Sequence, residues 1–169
     1  MKRSLLFSIL FFSFITIADA QWRNSKNHLV LTAMGGGGYQ SADRFTSYQL
    51  IGRGMYYPKR IIAVGGELGY SRTYGQDQNF DAASMNAFLH LKLPLGFYAE
   101  GGIGAMSYIS EGRVSEQPGA MGTFWSLGYA KKLGKRMALE LQYRKAPTIH
   151  AESMSMMQRN LRLGISLKL

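Results

Sequence analysis

The 169-residue chain has no cysteine, so no disulfide framework holds it together and the small stapled class of secreted domains is excluded. Its three histidines, His28, His90 and His150, are far apart in the chain. With no thiolate beside them they offer no ligand spacing for a metal. Beyond residue 20 there is no apolar run approaching the roughly 18 residues that a membrane-spanning helix requires. Basic residues outnumber acidic ones, 20 to 10, but they do not share one face with interleaved aromatics, which argues against nucleic acid as a partner. No cofactor, metal or catalytic centre is expected from what remains.

Two features at the ends organise the reading. Lys2 and Arg3 precede an apolar run from Leu5 to Ile17, and Ala18-Asp19-Ala20 has the small-x-small form of a secretory cleavage site. Residues 1–20 are therefore expected to be a cleaved signal peptide, and residues 21–169 one exported domain. At the other end, Arg162 to Leu169 alternates polar and apolar residues to the last position. A terminal strand with a bare row of leucines needs either a covering layer or a closed barrel whose exterior is lipid.

Period-two alternation recurs in eight segments, near Asn27 to Tyr39, Thr46 to Tyr57, Ile61 to Thr73, Ala83 to Leu93, Gly96 to Ile109, Ala120 to Leu133, Arg136 to Lys145 and Met157 to Leu169. Each suffices for a tilted strand to cross a bilayer. The connections after the second, fourth and sixth are short (Pro58-Lys59-Arg60, Pro94-Leu95, Gly134-Lys135), and the others are longer and polar. Tight periplasmic turns alternating with longer extracellular loops characterise bacterial outer-membrane barrels. The predicted fold is all-β, an eight-stranded antiparallel up-and-down transmembrane β-barrel in a bacterial outer membrane.

The charges obey the same plan. Acidic residues beyond the leader fall in long connections (Asp43, Asp77, Asp81, Glu111, Glu116, Glu152) or at inward strand positions (Glu67, Glu100, Glu140). Lys59, Arg60, Lys131, Lys132, Lys135 and Arg136 surround the short turns, while Arg72, Lys145 and Arg159 share the lipid-facing parity only at outer strand ends. A cation on the lipid face costs roughly 2–4 kcal/mol at the midplane and little at the interface. Tyr56, Tyr57, Phe97 and Tyr98 are expected as the turn-side aromatic belt, and Tyr48, Tyr70, Tyr74, Tyr108 and Tyr143 as the loop-side one.

On these residues the chain resembles the small eight-stranded outer-membrane proteins, the OmpX type and the membrane domain of the outer membrane protein A type. The resemblance implies insertion by the barrel-assembly machinery. Arg162, Gly164, Leu167 and Leu169 fill the slots of that class's C-terminal assembly signal, with Leu169 standing where the family usually ends in an aromatic.

Eight strands enclose room for side chains or one small ligand. The inward set Arg53, Glu67, His90, Lys92, Glu100, Glu140, Arg144 and Arg162 mixes both signs, and a buried unpaired charge is costly, so an interior charge network is expected. Strand adjacency suggests Arg53 with Glu67, Glu100 with His90 or Lys92, and Glu140 with Arg162. Gly35 to Gly38 lacks the Gly-Lys-Ser/Thr and helix start of a phosphate loop and reads as structural.

For function the expected partners are outer-membrane lipid and an extracellular ligand or protein at the loops, where Met154, Met156 and Met157 add an adaptable apolar cluster. The leading expectation is a structural or surface-interaction protein, not an enzyme. Two rivals stand beside it, a narrow channel and a lipid A-modifying enzyme. The second would use His150, Glu152 and Ser153, a base and nucleophile three residues apart on a loop that does not hold them in fixed geometry. A secreted soluble barrel would need the opposite polarity, apolar inside and charged outside.

Overall fold

The computed structural model describes residues 27–40, 45–74, 79–110, 113–114, 120–149 and 155–169. In chain order the strands are β1 (His28–Gln40), β2 (Phe45–Tyr57), β3 (Ile62–Tyr74), β4 (Asn79–Lys92), β5 (Phe97–Ser110), β6 (Arg113–Val114), β7 (Ala120–Lys132), β8 (Met137–Ile149) and β9 (Ser155–Lys168). β6 is a two-residue ribbon folded back on the end of β5. The other eight make the wall, ordered β4-β3-β2-β1-β9-β8-β7-β5, and β4 pairs with β5 to close it. All pairings are antiparallel.

Closure explains the terminal strand. β9 runs along β1 from Val30↔Lys168 to Gln40↔Gln158, so its backbone groups are paired rather than left as an edge. In hydrocarbon an unpaired N–H or C=O costs several kcal/mol, which is why only closed sheets span a membrane with strands.

The side chains sort by parity. Leu50, Leu68, Met85, Leu89, Ile103, Met121, Leu141 and Leu163 point outward and are exposed, as are Leu139 and Ile165. Arg53, Glu67, Glu100, Glu140, Arg144 and Arg162 point inward, each at most 5% exposed. Leaving an aliphatic side chain of this size in water forgoes about 1.5–3 kcal/mol relative to an apolar surrounding, and such side chains recur outward on all eight wall strands. The exterior therefore requires lipid, and the soluble carrier with an apolar interior is ruled out.

Three expectations need correction. Tyr57 and Tyr98 lie near the turns, but each is 2% exposed and faces the lumen, while Tyr56 and Phe97 face out; successive residues of a strand point to opposite faces, so two adjacent aromatics cannot both belong to the outer belt. Asp81 is not in a loop: β4 begins at Asn79, and Asp81 takes the outward parity opposite Arg72, 3.6 Å from its guanidinium. Placing the pair at the loop-side end keeps both charges where lipid gives way to water. β8 also continues to Ile149, four residues beyond the expected end.

Two glycines show how tightly the wall and its contents fit. Gly96, at φ +89° in the short turn between β4 and β5, follows Leu95 at φ 61°, a consecutive left-handed pair that glycine makes affordable at one of its positions. Gly128 on β7 faces in, and a Cβ there would run into the ring of Tyr98. Of the four consecutive glycines on β1, Gly36 and Gly38 face in against Arg162 and Asn160, whereas Gly35 and Gly37 have room.

Candidate functional site

The inward positions at mid-height form one connected polar network that spans the lumen. Glu100 on β5 is its first node. It pairs with Arg53 of β2, lies 2.9 Å from His90 Nδ1 of β4, and accepts hydrogen bonds from Ser126 Oγ at 2.8 Å and Gln142 Nε2 at 2.7 Å. Both carboxylate oxygens are thus engaged. Arg53 is held further by the ring of Phe88 at 4.6 Å, by the sulfurs of Met34 and Met55 at 3.5 Å, and by Glu140 at 4.0 Å. Glu140 also accepts from the Tyr98 hydroxyl at 3.3 Å.

Glu67 on β3 is the second node. Its Oε1 pairs with Arg144 of β8, lies 3.4 Å from Arg162 of β9 and accepts from Asn86 Nδ2 at 2.8 Å. The Arg144 guanidinium stacks 3.4 Å from the Phe124 ring centre, and Arg162 also donates to Gln49 Oε1 at 3.0 and 3.2 Å. Gln142 joins the nodes, because its Oε1 accepts from Arg162 at 3.2 Å while its Nε2 donates to Glu100. Three guanidiniums and three carboxylates balance within this plug.

Which acid meets which base differs from the expectation based on adjacent strands. Arg53 and Glu67 are register partners, yet Arg53 goes to Glu100 and Glu140, while Glu67 takes Arg144 and Arg162. Glu140 does not take Arg162. β3 and β8 stand on opposite sides of the ring, so the Glu67–Arg144 pair bridges the whole lumen. The cause is geometric: in so narrow a barrel an inward arginine carries its charged end close to the axis, where carboxylates from every strand are within reach. Of the alternatives for Glu100, His90 is the one in contact, and Lys92 lies 3.8 Å over the Tyr57 ring instead.

The plug leaves a space at each end. On the loop side is a recess of about 70 Å³ between Gln49, Asn86, Arg144, Asn160 and Arg162, room for very few waters. On the turn side is a vestibule of about 420 Å³ whose floor holds Tyr57, His90, Tyr98 and Glu140 and whose walls carry Lys92, Lys132 and Lys168. Its rings are ordered: His28 stacks on Tyr57 at 4.6 Å, and His90 on Tyr98 at 4.7 Å.

The residues of the expected assembly signal divide by face. Arg162 and Gly164 are buried on the lumen side, with Gly164 close against Met34, while Leu167 and Leu169 are exposed on the outside. His150, Glu152, Ser153 and Met154 lie outside the described residues, as do the signal segment and Asp43, Asp77, Glu111 and Glu116. Met156 and Met157 fall on β9. Among the described residues no group of three or more His, Asp or Glu is placed to hold a metal ion.

Reading for charge alone missed Gln49, Asn86, Ser126, Gln142, Phe88 and Phe124, which complete the plug. Inward parity would have found them, since Gln142 alternates with the outward Leu141 and Tyr143.

No family model matches the chain, and no curated protein does. Solved structures do. Neisserial surface protein A (NspA) superposes with TM-score 0.64 at 14% identity, over 86% of this chain and 98% of that one. The outer membrane protein OprG from Pseudomonas aeruginosa gives 0.54 at 10% identity, over 87% and 98%. Ail, the attachment invasion locus protein of Yersinia pestis, solved in complex with the heparin analogue sucrose octasulfate, gives 0.55 at 11% identity, over 86% and 100%. The chain shares the closed eight-stranded antiparallel fold of bacterial outer-membrane barrel proteins.

Proposed function

We propose that this chain, built on the fold of the small bacterial outer-membrane barrels, is a non-enzymatic and non-conducting outer-membrane protein whose extracellular loops meet partners outside the cell. The observation that carries the reading is the cross-lumen plug inside an apolar exterior. Each of its arginines and glutamates is at most 5% exposed, and moving an ion through would require breaking pairs that cost about 3–5 kcal/mol to disrupt. The expected contrast in length holds at one place, residues 111–119 between β5 and β7, since 41–44, 75–78 and 150–154 are four or five residues against four in each turn-side connection; connections carried on such a closed wall are a common seat of recognition.

Within this reading residues 1–20 are the export signal, and the last strand addresses the chain to the barrel-assembly machinery through Arg162, Gly164, Leu167 and Leu169. The charge of the loops bears on the partner. Asp43, Asp77, Glu111, Glu116 and Glu152 stand against Arg44 and Arg113, so a sulfated polyanion of the kind bound to Ail is disfavoured, and a neutral or cationic surface fits better.

The test is twofold. Fractionation should place the protein in the outer membrane with a heat-modifiable gel mobility, and the purified protein should be silent in a planar bilayer. Recovery in the soluble periplasm would overturn the location, and steady ion conductance would favour the narrow channel. A changed lipid A profile in cells lacking the protein, reproduced by replacing both His150 and Ser153, would favour the enzyme.

A further inference from the structure

Two cations stand side by side on the outer face of the wall. Lys145 of β8 and Arg159 of β9 are register partners, at the outward parity that also carries Leu141, Tyr143, Leu161 and Leu163. Arg159 is exposed and Lys145 half-buried. Lys145 comes four residues before Ile149, where β8 ends, and Arg159 four residues after Ser155, where β9 begins. At about 3.3 Å per residue the pair lies roughly 13 Å along the strands from their loop-side ends, and so belongs to the wall and not to the loop. Trp125 of β7 is the register partner of Lys145 on its other side, and its ring centre is 5.9 Å from that of Tyr143.

Elsewhere at this end the wall answers an outward cation with an acid of its own. Arg72 of β3 faces its register partner Asp81 of β4, 3.6 Å away. Lys145 and Arg159 have no such neighbour among the described residues, whose acids are Glu67, Glu100 and Glu140 in the lumen and Asp81 on β4, the strand opposite β9 in the ring. Glu152, in the connection between β8 and β9, lies outside the described residues. Like charges directly opposite on adjacent strands repel, and an anion in the surrounding medium offsets that cost. The exposed rings of Trp125 and Tyr143 mark the depth, because such rings settle where headgroups meet hydrocarbon. Toward the midplane the face continues with Leu161, Leu141 and Leu163. The complement of this surface is an anionic group with hydrocarbon directly beneath it, which is the build of a lipid and not of a soluble ion.

We propose that Lys145 and Arg159 hold a phosphate of an outer-leaflet glycolipid of the lipid A class, whose acyl chains lie along Tyr143, Leu161, Leu141 and Leu163. The inference rests on the outer-membrane reading, with the loop end outward. A phosphate monoester carries about two negative charges near pH 7, which matches the two cations, and a guanidinium can engage two of its oxygens at once. A phosphodiester headgroup brings less charge and is the poorer fit.

The protein is refolded in uncharged micelles, and amide and indole NMR is followed as bisphosphorylated lipid A is added. Saturable shifts at Trp125, Lys145, Arg159 and Leu161, with none at Arg72 and Asp81 on the opposite wall, support the site. On the unaltered protein, lipid A stripped of its phosphates and phosphatidylglycerol should each bind at least about fivefold more weakly, and K145Q and R159Q should each weaken binding of the intact lipid about fivefold, the worth of one basic contact at a membrane surface. K59Q/R60Q at the turn end should leave it unchanged. Equal shifts at Arg72 and Asp81, equal binding of phosphatidylglycerol, or equal loss in K59Q/R60Q would overturn the proposal in favour of a general attraction to anionic lipid. Absence of saturable shifts, or unchanged binding in both K145Q and R159Q, would overturn it outright. Fractionation separates this failure from that of the premise: a barrel found in the outer membrane that binds lipid A without selectivity loses the site and keeps its location, whereas recovery in the soluble periplasm removes the location itself.

Discussion

Replacing Glu100 by alanine tests the plug where it is most connected. The carboxylate is the partner of Arg53, whose side chain is fully buried, and it accepts from Ser126 and Gln142 while meeting His90. Among the described residues, truncation leaves Glu140, at 4.0 Å, as the one carboxylate paired with Arg53, beside the weaker contacts to Phe88, Met34 and Met55. Removing one member of a buried pair costs about 3–5 kcal/mol, since the remaining charge stays desolvated, and the orphaned donors raise the cost within that range rather than adding in full. The assay is urea unfolding in detergent micelles, followed by tryptophan emission and by the heat-modifiable gel band, with stability extrapolated linearly to water. A double-mutant cycle makes the assignment specific. Arg53→Ala with Glu100→Ala should show a coupling of about 2–3 kcal/mol, whereas Arg53→Ala with Glu67→Ala, a pair adjacent in the sheet, should show well under about 1 kcal/mol. Replacing Arg53 and Glu100 together by methionine should recover most of the loss, as well-packed apolar substitutes for buried ion pairs do. An E100A protein as stable as the parent, or a larger coupling of Arg53 to Glu67 than to Glu100, would refute the cross-lumen pairing.

Other expectations are simpler to check. Gly128→Ala should lose about 1–3 kcal/mol by driving a methyl into the Tyr98 ring, while Gly101→Ala, whose Cβ meets nothing within 4 Å, should be nearly neutral; the same urea titrations compare them. Leu163→Arg on the outer face should cost about 2–4 kcal/mol and Leu167→Arg, near the turn-side end of β9, about 0–1 kcal/mol; equal costs in bilayer refolding would contradict the assigned depth. Leu169→Phe should speed insertion by the barrel-assembly machinery in reconstituted liposomes without changing the unfolding midpoint by more than a few tenths of a kcal/mol, and an unchanged rate would remove Leu169 from the signal.

Much of the wall was legible from residues alone, because a strand that separates lipid from a polar lumen must alternate, and β3, β4, β8 and β9 do so almost without interruption. The ends were less legible. Polar Asn79 and Asp81 look like loop residues, yet they continue β4 where the bilayer gives way to water. Tyr57 and Tyr98 were assigned to the outer belt on residue type, and the strict pleat of the strand turned them inward.

Parity and the sorting of charge are local properties, each carried by a residue and its near neighbours, and from them the number of strands, the closure and the polarity of the wall could be read directly; the contrast of long and short connections could not, because the strands run on at the loop end until 41–44 and 75–78 are as short as 58–61, 93–96 and 133–136. The partners inside could not. Glu67 meets Arg144 across 77 positions of chain and Arg53 meets Glu100 across 47, contacts decided by how far each side chain reaches toward a common axis once the ring has closed. The turn-side vestibule belongs to the same category, because the ends of β4, β7 and β9 border one cavity only when closure brings them to a single mouth.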